Sequence, residues 1–378
     1  MAKKRLVFVY VLNVLAAFAV VMLHVSLDVF SPQAGGDPKW FASFFLQAAF
    51  TFAVPVFFAV SGMNLLDYRA KYDTRTFFVK RVRRVGVALL FGSAVCYLAY
   101  GLFPHAFGMG EGEGPVSALG FVRGVLTNSI NDIYWFFYIL IYLYVLTPLL
   151  SLAAGRKRLL EYILSCCFVV SIIIPMLINL GVDSSLFDKV LGWPAFANEA
   201  LFYYVGGFYL FRYVNRPDGF PVPWQASVAL YAVSTVAMAL VSAGSNGIVG
   251  FDAVPEAYNR YWISTASPLC AVQAASVFMC VMALEPRFSP CNGRCLKMLT
   301  LFSRASLGVY LIQMPIINWL GWRLQFPRYQ WLQPAVLRGV MVFAAALALS
   351  LAWCWVWGNI KHVASRFCLR AAAREEER

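Results

Sequence analysis

Residues 6–30 read LVFVYVLNVLAAFAVVMLHVSLDVF, and only Asn13, His24, Ser26 and Asp28 interrupt an otherwise apolar and aromatic run. A bilayer core takes ~20 apolar residues of helix, so the run is long enough to cross one. Its backbone must satisfy its own hydrogen bonds in lipid, which makes it a helix. It follows Lys3-Lys4-Arg5, is too long for the core of a signal peptide and ends on no small-residue cleavage site. We therefore read it as a retained first helix.

The same signature repeats along the chain. Runs at 40–66, 85–104, 132–152, 159–181, 197–214, 222–244, 261–284, 301–321 and 335–358 bring the expectation to about ten spans. Barrel strands of ~10 alternating residues are not seen. Composition agrees: the 378 residues are 61% hydrophobic and 13% charged, with a mean hydropathy of +0.68. A soluble domain of this length carries more charge and fewer long apolar runs. The fold class expected is all-α, a polytopic membrane bundle. Residues 1–362 form one transmembrane domain and 363–378 a charged tail.

A net charge of +13 invites a nucleic-acid reading, but the basic residues sit in short clusters between apolar runs. No zinc-finger spacing or RNA-binding aromatic motif accompanies them. Nucleic acid is not an expected partner. Threading ten spans through the chain places 24 of the 31 Lys and Arg on the side of the N-terminus and 7 on the other. Such a split predicts that both termini face the cytoplasm. Cys96, Cys166, Cys167, Cys270, Cys280 and Cys354 lie inside apolar runs as small hydrophobes. Cys291 and Cys295 share a polar loop that has no third ligand, so no metal site is expected. On the outer side, the stretch after GMGEGEGP suggests a short interfacial helix with Val116, Leu119, Phe121 and Val125 towards the membrane.

Ionisable groups within a span are costly and are functional candidates by default. His24 lies some eighteen residues along the first span, roughly 27 Å at 1.5 Å per residue, in the outer half of the membrane. Asp28, four residues on, shares its helix face and is placed to orient the imidazole. Asn13, eleven residues earlier, lies on the same stripe. The ordinary alternative is a hydrogen-bonded packing histidine. A second cluster, Lys80, Arg81, Arg83 and Arg84, stands at the mouth of the third helix. It reads either as an anchor for anionic lipid or as a recognition element for an anionic cofactor, Arg81 and Arg84 sharing one face. Ser61, Asn64, Gln273, Ser306, Tyr310 and Gln313 fit ordinary helix packing.

Several stretches together resemble the membrane acyltransferase-3 family. VLNVLAAFAVVMLHVS (11–26) is similar to its opening helix, and VPVFFAVSGMNLL (54–66) to its FFxxSG segment. Arg81-Val82-Arg83-Arg84 matches its Arg-x-x-Arg element. YWFFYILIYLYVLTPLL (134–150), YYVGGFYL (203–210) and SLGVYLIQMPI (306–316) resemble its later helices, in the family's order. There are three departures: Asn13 replaces a basic residue, Ile133 and Tyr134 stand where a histidine is usual, and Gln313 replaces the histidine of a Tyr-Leu-x-His element.

The resemblance implies transfer of an acyl group, usually acetyl, from acyl-CoA to a sugar hydroxyl of a surface or exported glycan or lipid-linked sugar. It implies CoA recognition by Arg81 and Arg84, general-base catalysis by His24 with Asp28 and Asn13 beside it, and no metal. The expected setting is a bacterial plasma membrane, with membrane lipids as further partners. Alternatives are a transporter or flippase for a glycan intermediate, and an inactive relative serving as scaffold or sensor. Neither inverted repeats nor paired interrupted helices support the transporter.

Overall fold

A computed structural model describes residues 6–30, 38–108, 116–191, 196, 198–214, 222–248, 258–288, 293–324 and 335–356. Among them every regular element is helical. In chain order these are α1 (Val7–Val25), α2 (Pro38–Phe50), α3 (Ala53–Leu65), α4 (Thr74–Leu102), α5 (Ala118–Thr127), α6 (Trp135–Leu150), α7 (Lys157–Phe168), α8 (Ile174–Asn179) and α9 (Asp188–Leu191). There follow α10 (Glu199–Tyr213), α11 (Trp224–Ser245), α12 (Pro268–Ala283), α13 (Glu285–Phe288), α14 (Arg294–Leu324) and α15 (Ala335–Val356). The 363–378 tail and its boundary lie outside the described residues.

Nine stretches among the described residues are long and apolar enough to cross a membrane. The run at 197–214 is the exception. It forms α10, whose 15 residues reach about 22 Å, short of a ~30 Å hydrocarbon core. It still runs from one face of the bundle to the other: Glu199 at its start accepts from the Thr265 hydroxyl just before α12, and Tyr209 near its end donates to Glu161 of α7. It packs inside, with Leu201, Tyr203, Tyr204, Val205 and Phe208 buried. Two glycines let it lie backbone to backbone on α3. A Cβ on Gly62 would sit 1.7 Å from the Tyr204 carbonyl oxygen, and one on Gly207 2.1 Å from that of Ala59. Small residues at such a crossing are what allow close helix approach in a membrane. Gly207→Ala is expected to cost at least about 1–3 kcal/mol through overpacking. Thermal unfolding in detergent measures this, and an unchanged midpoint would contradict the crossing.

The second span is broken between α2 and α3. Gln273 of α12, fully buried, satisfies the freed backbone. Its Oε1 accepts from the Phe52 N–H at 3.1 Å, and its Nε2 donates to the Ala48 carbonyl at 2.8 Å and to Thr235 Oγ1 at 2.7 Å. In lipid such a break persists only where side chains supply these partners. Gln273→Leu is therefore expected to lower stability by about 1–3 kcal/mol, read as a drop in the same unfolding midpoint. No drop would remove Gln273 from this role.

Both ends of α1 are capped by side chains, and the charged ones, Glu285 and Arg338, have the sign its dipole favours. The Val7 and Phe8 N–H groups donate to the Glu285 carboxylate at 3.1 and 2.6 Å. At the other end Gln47 Nε2 donates to the Leu23 carbonyl at 2.7 Å, and the Arg338 guanidinium of α15 donates to the Val25 carbonyl. These partners end the helix at Val25. Leu27–Phe30 follows as a 3-10 turn, so Asp28 is not one α-helical turn above His24 as the sequence suggested. The Asp28 side chain lies outside the described residues.

The short helix after the acidic loop is present as α5. Val116 and Leu119 are exposed as expected, together with Val122 and Leu126. Phe121 and Val125 are half-buried, and Phe121 packs on the Tyr97 ring, 5.6 Å between centroids.

Candidate active site

A cavity of about 490 Å³ opens at the basic end of the bundle, between α1, α3, α4, α6 and α14. Asn13, Ser61, Asn64, Arg81, Arg84, Ser303, Ser306 and Tyr310 line it, with Lys71 and Tyr72 from the segment before α4. The start of α4 sets the register of the two arginines. Asp73 caps that helix, accepting from the Thr76 N–H at 3.2 Å and the Thr76 hydroxyl at 2.5 Å. Those two bonds, the hydroxyl's first, hold the Asp73 carboxyl below its ordinary range. Arg81 and Arg84, three residues apart, then share one face towards the cavity.

Arg81 Nη2 donates to the Tyr72 hydroxyl at 3.2 Å, while its Nε is buried without a partner. The Lys80 ammonium lies 4.6 Å from the centre of the Tyr72 ring. Neither arginine has a carboxylate partner among the described residues. Two guanidinium groups with donors to spare at the mouth of a low-dielectric cleft make a receptor for a polyanion such as a phosphate ester.

Asn13, from α1, donates through Nδ2 to Ser303 Oγ of α14 at 3.1 Å. The two helices run in the same direction from this contact. Eleven residues further along α1, roughly 16 Å, the His24 side chain meets Gln313, ten residues beyond Ser303. His24 Nδ1 and Gln313 Oε1 are both buried and have no hydrogen-bond partner. Gln313 Nε2 turns back to the carbonyl of Tyr310, at 3.4 Å.

Of the residues singled out from sequence, Asn13, Arg81 and Arg84 therefore share one cavity. His24 does not line it. Between the two stand Tyr310, Phe136 and Phe137, the lining residues nearest the opposite end of the bundle. Tyr310 packs on both phenyl rings at 5.3 and 5.6 Å, and its hydroxyl donates to the Ile133 carbonyl.

Sequence reading passed over Lys71, Tyr72 and Ser303. Lys71 was counted only as positive-inside charge. Ser303 had one available signal, since an asparagine within a span needs a partner on a neighbouring helix. His105 lies in the 3-10 turn Pro104–Phe107, away from the cavity, and His362 is outside the described residues.

The family model described as an acyltransferase domain, of the acyltransferase-3 family, matches residues 8–357. No curated protein and no solved structure matches the chain.

Proposed function

This chain belongs to the membrane acyltransferase-3 family, and on that footing we propose that it moves an acyl group, acetyl first among candidates, from cytoplasmic acyl-CoA to a sugar hydroxyl of a surface or exported glycan. The observation that carries the donor side is the cavity with Arg81 and Arg84, whose guanidinium groups lack carboxylate partners among the described residues. Such a pair suits the phosphates of CoA, because each fork can donate two parallel hydrogen bonds to one phosphate. Asn13 and Ser303 add neutral donors and acceptors deeper in the cleft.

In this reading the phosphates stay at the basic mouth, and the arm that carries the thioester runs along α1 and α14 towards His24. Tyr310 and the Phe136–Phe137 pair bar the direct way, so side-chain rotation at Tyr310 is part of donor entry. His24 acts as general base: an imidazole nitrogen takes the proton of the acceptor hydroxyl as its oxygen bonds to the thioester carbonyl carbon. The C–S bond breaks, and the imidazolium returns that proton to the departing thiolate sulfur. Orientation follows from charge: the basic mouth faces the cytoplasm of a bacterial plasma membrane, with both termini on that side. The acceptor then approaches from the outer side, where His24 stands.

Equilibrium binding of acetyl-CoA to the purified protein in nanodiscs tests the donor assignment. Saturable binding that free CoA and 3′-phospho-ADP both displace is expected. No saturable binding would overturn it.

A further inference from the structure

The expectation that Asp28 orients His24 needs an unbroken helix through position 28, whereas α1 ends at Val25 and the Asp28 side chain lies outside the described residues. A different residue occupies the position such a role needs. We propose that Gln313 is the positioning residue for His24, accepting a hydrogen bond from Nδ1–H and so leaving Nε2 as the nitrogen that takes the acceptor proton. This assignment rests on the general-base reading of His24 given above.

Four observations meet here. Gln313 is fully buried on α14, and its side chain faces the imidazole. Its Nε2 is directed to the Tyr310 carbonyl, so the amide oxygen is the end left for the ring. That oxygen and His24 Nδ1 are each buried without a hydrogen-bond partner, and a small rotation of the ring or the amide that pairs them satisfies both at once. A neutral imidazole has one N–H, and its tautomer is set by the partner of that N–H. Finally, the backbone on both sides of His24 is pinned: Gln47 holds the Leu23 carbonyl and Arg338 the Val25 carbonyl. The ring cannot slide away from α14 without breaking those caps.

The choice of an amide has a consequence. A carboxylate at this position would also orient the ring, but it would stabilise the imidazolium and so hold His24 protonated to higher pH. A glutamine orients without adding charge. Among the described residues, the charged side chain that reaches the backbone beside His24 is Arg338, on α15, and Tyr310 is the titratable neighbour one turn below Gln313.

Three variants separate positioning from mere packing. Gln313→Leu keeps the bulk and removes the acceptor. Its kcat is expected to fall at least about tenfold, part of the 10²–10⁴ that a general base supplies, while acetyl-CoA binding stays as in the wild type. Gln313→Glu keeps the acceptor, and the acid limb of its kcat–pH profile should move upward by about one unit or more. His24→Gln, in protein labelled with ¹⁵N-histidine, removes one of the three histidines and so identifies the His24 resonances. These are expected to report the Nδ1–H tautomer in the wild type and a mixed or reversed tautomer in Gln313→Leu. An unaltered tautomer in Gln313→Leu, or an unmoved acid limb in Gln313→Glu, would overturn the assignment. The nitrogen spectra decide it even if the wild type transfers no acyl group, an outcome that would count against the proposed reaction alone.

Discussion

Alanine in place of His24 is expected to lower acyl transfer about 10²–10⁴-fold, the usual worth of a positioned general base. The structure predicts little accompanying loss of folded protein. The caps of α1 come from Glu285, Gln47 and Arg338 acting on backbone atoms, and none involves the imidazole. Among the described residues the polar side chain that meets the imidazole is Gln313. Removing the imidazole forgoes at most one hydrogen bond to the buried Gln313 oxygen, about 0.5–1.5 kcal/mol net, against the many contacts that hold the helix. Initial rates and the thermal midpoint, measured on the same preparation, separate the two effects. A variant that transfers at the wild-type rate would remove His24 from the chemistry. One that fails to reach the membrane would show instead that the residue serves folding.

The second large effect is expected at the mouth of the cavity. Arg81→Ala and Arg84→Ala should each weaken acetyl-CoA binding by about tenfold to a hundredfold, matching the 1.5–3 kcal/mol of a hydrogen bond to a charged group. With saturating donor, kcat should change little, because the guanidinium groups stand at the cavity mouth while His24 lies beyond the wall formed by Tyr310, Phe136 and Phe137. Lysine at position 81 should restore only part of the affinity: a point charge does not reproduce the planar fork, and it cannot at once satisfy Tyr72 and a phosphate in the same geometry. If both alanine variants bind acetyl-CoA as the wild type does, the cluster serves the membrane surface, which is the other reading its position allows.

Local patterns in the sequence account for the helices, the clustering of Arg81 and Arg84 on one face, and the inward stripe of Asn13 and His24. Each depends on residues three to eleven positions apart, which one helix fixes by itself. What local pattern could not reveal was set from a distance. The run at 197–214 reads like the other spans, yet α10 is shorter than they are and lies inside the bundle against α3; the residues that permit this close approach, Gly62 and Gly207, work as a pair across 145 positions. The break after Phe50 is sustained by Gln273, more than two hundred residues away in sequence. Asp28 was placed by continuing α1 through Ser26, but Gln47 and Arg338 cap the helix before it gets there. Gln313 stood out from sequence only as a missing histidine. Its relation to His24 appears once α1 and α14 are known to run parallel with Asn13 on Ser303.

The reaction itself is tested most directly by transfer of label. Wild-type protein and His24→Ala, reconstituted in nanodiscs, would be incubated with radiolabelled acetyl-CoA and glycan extracted from the host envelope. The account predicts label in the glycan with the wild type and none above background with the variant. If the wild type transfers no label, with acetyl-CoA or with succinyl and longer donors, the acyltransferase assignment fails, and the bundle must be understood as a carrier or as an inactive member of its family.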